Sequence, residues 1–151
     1  MDKARSAELL IQLYDLRREK VMREARQWIG TFQPKSAEDV VGTMMDPEVG
    51  GYLRMVISYW EMACSFVRHG AIDADMFDDA NGEHFFVYCK IRPFLPELRA
   101  MFEMPDYLSH LEQVILATPN AEERLARMEK WMTENADELA ADDSESAAQA
   151  G

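Results

Sequence analysis

The sequence predicts an all-α fold: a helical bundle of about six to eight helices, with a long N-terminal helix and a central, largely apolar one. Three observations carry this expectation. Apolar residues recur at three- and four-residue spacing through most of the chain. Proline does not occur before Pro34, and later prolines stand where helices should start or stop. No segment shows sustained two-residue alternation, and there is no internal repeat.

Taken in order, Ala7, Leu10, Tyr14, Val21, Ala25 and Trp28 fall within about 60° on a helical wheel, so residues 3–29 read as one amphipathic helix ended by Gly30. Ser36 and Asp39 form a capping-box pattern ahead of a short helix over 37–45. Asp46 as N-cap and Pro47 at N1 start the next helix, which runs to Arg68 or His69; Gly70 supplies the left-handed residue that ends it. Asp73 caps a helix over 74–80, with Ile72 and Phe77 spaced as a hydrophobic staple. After the Asn81-Gly82 break, residues 83–92 are apolar on nearly all sides. Their length and neighbours favour a buried helix, although their aromatic and β-branched content also suits a strand. Pro93 and Pro96 should break that helix and restart it over 96–103; Pro105-Asp106 begins another, and Thr118-Pro119 the last.

Of 151 residues, 48% are hydrophobic, enough for one domain to bury a core without metals or disulfides. Residues 1–138 should form that domain. Six acids and no base follow Lys130, so 139–151 are expected to be a disordered acidic tail. The net charge is −12, half of it in the stretch after Lys130, and the acidic remainder argues against nucleic acid or anionic lipid as a partner. Cys64 and Cys89 lie in apolar surroundings with no CxxC spacing, as buried thiols do in a reducing compartment. Charges run through the first eight residues and no apolar run reaches membrane-spanning length, so neither signal peptide nor membrane span is expected and the location reads as cytoplasmic.

The informative oddity is Glu61 in the apolar stretch ISYWEMACSFVRHGAID. Arg54, Ser58, Glu61, Ser65 and Arg68 lie within about 80° of one another on a wheel, while apolar residues fill most of the rest. Glu61 therefore belongs to a polar stripe on a central helix. The stripe is expected to face water. The alternatives are that a second helix covers it, with Glu61 paired to an arginine such as Arg54 or Arg92, or that it serves a ligand. A buried carboxylate without a partner would cost several kcal/mol.

"YWE" at 59–61, "GAID" at 70–73, Phe77 and "RP" at 92–93 resemble the scattered pattern of an uncharacterised bacterial family of helical domains, one described as a domain of unknown function. The resemblance covers roughly residues 50–115. It implies a helical fold and no activity, cofactor or catalytic residue. Some members carry an N-terminal membrane helix; the charged first helix here departs from that.

Specific chemistries are mostly excluded. A calcium loop started at Asp73 would place Phe77 at a ligand position, Asp78 where glycine is needed and His84 where the bidentate glutamate belongs. His69, His84 and His110 show no metal-ligand spacing. No glycine-rich phosphate loop or nucleophile signature occurs. Arg17, Lys20, Arg23 and Arg26 drift around the first helix among interleaved acids, as a solvated ion-pair face does. The eleven methionines supply adaptable packing. The leading expectation is a helical protein-interaction or regulatory module, homodimeric through its first helix. The alternative is a small-ligand-binding or hydrolytic domain using Glu61, Arg54, Arg92 and His84. The candidate polar site is Arg54, Ser58, Glu61, Arg68 and Arg92, with no catalytic residue, metal or cofactor assigned.

Overall fold

The computed structural model describes residues 2–140. Among them are nine α-helices and no strand: α1 (Lys3–Arg17), α2 (Lys20–Ile29), α3 (Ala37–Met44), α4 (Gly50–Arg68), α5 (Ala74–Ala80), α6 (Glu83–Ile91), α7 (Leu95–Met101), α8 (Ser109–Ala117) and α9 (Ala121–Glu134). The stretch 83–92 is thus helix, continued by a 3-10 turn at Arg92–Phe94 that leads straight into α7. Pro93 and Pro96 fall in the first turns of the 3-10 segment and of α7, where a missing N–H costs nothing, so they tighten the path without breaking it.

α4 is the element on which α2, α3, α6 and α8 pack. It buries Leu53, Val56, Ile57, Tyr59, Trp60, Ala63 and Cys64. Each large apolar side chain removed from water there stabilises the fold by about 1.5–3 kcal/mol. The expected caps are present: Ser36 Oγ accepts from the Asp39 N–H at 3.0 Å, and Asp73 Oδ1 from the Met76 N–H at 3.0 Å. Gly70, at φ +77°, ends α4 in a Schellman arrangement in which the Ala71 N–H reaches Phe66 O at 2.9 Å. Asp46 caps a turn rather than helix, accepting from Glu48 and Val49, and α4 starts only at Gly50. A Cβ at Gly50 would collide with the Met44 carbonyl, so the α3–α4 corner requires glycine there.

The single N-terminal helix expected over 3–29 is in fact two. No proline or glycine causes the break. α1 turns its buried residues, Ser6 and Leu13, toward one side, while α2 buries Met22, Ala25 and Ile29 against α4. Glu19 ends the conflict by capping α2, its carboxylate accepting from the Met22 N–H at 2.9 Å. The Tyr59 hydroxyl of α4 donates to Leu13 O, in the last turn of α1, at 2.6 Å. With the helix broken, Tyr14 and Val21, expected inside, stand exposed.

At the other end, residues 136–140 form a further helical turn. The Gln33 side chain donates to Ala136 O at 2.9 Å, so this turn is tied to the α2–α3 connection. The rest of the acidic stretch expected to be disordered, residues 141–151, lies outside the described residues.

Candidate functional site

Glu61 does not face water freely. One carboxylate oxygen accepts from the backbone N–H groups of His110, at 2.7 Å, and Leu111, at 3.1 Å. These are second- and third-position donors of α8, whose own N-cap residue is Leu108, a side chain unable to accept a hydrogen bond. A glutamate of the central helix therefore caps another helix from outside it, where an anion is favoured by both the unpaired donors and the helix dipole.

Local backbone geometry makes this possible. Leu108 is held in the left-handed region at φ +58° while its side chain is buried in the core. Such a conformation costs a leucine about 1–2 kcal/mol. Arg99 steadies the preceding turn by donating to Tyr107 O at 2.9 Å, and its guanidinium pairs with Glu112 of α8 at 3.1 Å. The expected start at Pro105-Asp106 is displaced because residues 105–108 form this turn and the helix begins at Ser109.

The second oxygen of Glu61 is buried and has no hydrogen-bond partner among the described residues, as is also true of His110 Nδ1. Burial pushes the Glu61 carboxyl above its ordinary range, outweighing the two backbone donors that pull it down. The neighbouring Tyr107 hydroxyl is pushed up to about 12, by burial first and by the Glu61 charge second. A cavity of about 460 Å³ opens here, lined by Arg54, Ser58 and Glu61 of α4, by Met44, and by Tyr107 and His110 on the opposite side.

The remaining expected residues separate. Arg54 donates to Met44 O at the end of α3, not to Glu61. Arg68 is exposed and borders a different hollow, between α4, α5 and α8. Arg92 reaches Glu122 at 3.0 Å and Glu129 at 3.6 Å, both on α9. His84 is fully buried, its ring 5.4 Å from Trp60, 5.1 Å from Phe77 and 5.0 Å from Phe85 by centroids, with neither ring nitrogen partnered among the described residues. Burial lowers its pKa to about 4, so it is neutral at pH 7. Arg54 and Glu61 thus share one cavity, while Arg92 and His84 lie elsewhere, so the four do not form one site.

A second polar cluster was not legible in the sequence. Glu83, in the first turn of α6, accepts from Arg26 Nε at 2.8 Å, lies 3.6 Å from Arg17, and receives the Trp60 indole N–H at 3.3 Å. The Arg17 guanidinium also lies over the Trp60 ring at 5.3 Å and donates to Asn81 at 3.3 Å. Arg17 and Arg26, expected on a solvated face, turn inward from the two sides of the α1–α2 break. The only sequence signal would have been the break itself, since Arg26 and Glu83 lie 57 positions apart.

The described residues form an all-helical bundle. Residues 4–117 match the model of a family described as a domain of unknown function, DUF4760. The chain belongs to that family, and the match spans α1 to α8 and so includes both carboxylate clusters. No curated protein and no solved structure matches the chain. No helix among the described residues is long and apolar enough to cross a membrane.

Proposed function

We propose that this domain is a cytoplasmic protein-interaction or regulatory module that self-associates through α1. The observation that supports this reading is the outer face of α1, where Ile11 is 68% and Tyr14 59% exposed beside half-buried Leu10. The three lie within about 100° on the helix and form one apolar patch. α1 packs chiefly on α5 and α2, and Leu10 also touches the core, so Ile11 and Tyr14 are the exposed part of this face. The buried free thiols of Cys64 and Cys89 suit a reducing compartment. The ligand-site alternative loses support because Arg92 and His84 lie away from the cavity beside Glu61.

Sedimentation at micromolar concentration tests the reading. The wild-type chain should be a dimer, and I11E/Y14E a monomer with an unchanged melting temperature, because both side chains are already exposed. A monomeric wild type removes the proposal.

A further inference from the structure

Lys90 is the one lysine or arginine that is buried among the described residues, with 5% of its surface exposed. Its ammonium donates to Phe32 O at 2.7 Å and sits 4.5 Å from the centre of the Phe86 ring. No carboxylate among the described residues pairs with it; Glu129 of α9, which lines the same cavity, is engaged by Arg92. An ammonium carries three donors and a full charge. One neutral carbonyl and one ring face satisfy part of the hydrogen bonding and leave the charge without an anion. Burial lowers the Lys90 pKa to about 8, so most of the side chain still carries its proton at pH 7.

Beside Lys90 lies a cavity of about 260 Å³, walled by Phe32, Cys89, Phe94 and Met132, with Lys35 and Glu129 also on its lining. The walls are mostly apolar. The volume lies just below that of pockets that hold drug-sized molecules, roughly 300–1,000 Å³, which restricts it to a compact ligand. Glu129 opposes a second negative charge, which disfavours phosphates and dicarboxylates.

We propose that this cavity binds a small monocarboxylate with a compact apolar body, its carboxylate paired to the Lys90 ammonium. The two features complement each other: the cation lacks an anion, and the adjoining apolar space accepts a short chain or a single ring. A charge-assisted hydrogen bond in this setting is also among the stronger kinds available to such a ligand. The site is independent of the α1 surface. It lies partly on α9 and the helical turn after it, beyond the residues that match the family.

Benzoate and hexanoate are suitable probes, with benzamide as the uncharged control of matched shape. Titration of the full chain carrying 13C-methyl methionine should shift the Met132 methyl signal on adding either acid, and leave Met45, which is exposed and outside the cavity lining, unmoved. Benzoate should bind with Kd below about 1 mM and benzamide about tenfold or more weakly. Lys90→Met should fold at least as well, having lost a buried charge, and should weaken benzoate about tenfold. Equal binding of benzoate and benzamide, or a Met132 signal that does not move, would overturn the proposal even if the variant failed to fold.

Discussion

Glu83 faces two guanidinium groups, whereas Glu61 accepts from two backbone N–H groups and forms no ion pair among the described residues. Both carboxylates are half-buried, and both bind elements distant in the chain. At Glu83 the charge is balanced by Arg17 and Arg26, so removing it strands two partly buried cations. At Glu61 the partners are neutral amides that form a helix end, so removing it leaves donors unsatisfied but no net charge. A half-buried carboxylate is retained for what it satisfies, and the cost of losing it depends on whether the partner is charged.

Glu83→Ala should cost about 3–4 kcal/mol in urea unfolding, because Arg17, whose side chain is only 14% exposed, loses its anion. Arg26 reaches water more easily and should matter less. The double variant R17M/E83L should recover part of the loss. A single-variant cost under about 1 kcal/mol would show that the arginines do not depend on Glu83.

His84 is a buried titratable group that has neither a charged nor a neutral hydrogen-bond partner among the described residues. Its pKa is about 4 in the fold against 6.5 when exposed, so between those values the unfolded chain takes up a proton that the folded chain refuses. Stability contributed by this group is thus full above pH 6.5 and declines as pH falls. At about 1.4 kcal/mol per unit, the loss by pH 4 is about 3 kcal/mol. His84→Met removes that slope, and the difference between the two pH profiles isolates it from the carboxylates. Superimposable profiles would contradict a buried neutral His84.

The smallest effect concerns Glu61. Glu61→Ala should cost about 2 kcal/mol, since two N–H groups of α8 lose their acceptor. Glu61→Gln, which keeps an acceptor oxygen and loses the charge, should cost about 1 kcal/mol. Arg68→Ala, on the exposed part of the same stripe, should stay within about 0.5 kcal/mol and serves as the control. Chemical denaturation of the three variants beside wild type measures all of these. A Glu61→Ala variant as stable as Arg68→Ala would mean that α8 does not need its cap.

Much of the architecture was legible in the sequence because it is set within a few residues. Ser36, Asp73 and Gly70 cap or end their helices through contacts no more than about five residues away, and each does so in the structure. The apolar breadth of 53–67 likewise announced a helix packed on several sides, and α4 touches α2, α3, α6 and α8. The stripe through Arg54, Ser58 and Arg68 was legible as an exposed face for the same reason. What failed was the assumption that periodicity continues unbroken. The wheel joined Tyr14 and Val21 to Ala25 as one buried face, yet α1 and α2 pack on different neighbours and the chain breaks at Arg18-Glu19 to allow it.

Composition and local pattern by themselves determined that this chain is helical, where most of its helices lie and which thiols are buried, because helix periods and caps are properties of neighbouring residues. Only the tertiary structure decided the partners of its charges. Glu61 meets the amides of α8 across 49 and 50 positions, Glu83 gathers arginines from both sides of a break that no proline or glycine marks, and Lys90 is drawn under Phe32 across 58. A long-range partner is chosen by which helix ends the packing brings together, and a sequence read residue by residue carries no record of that meeting.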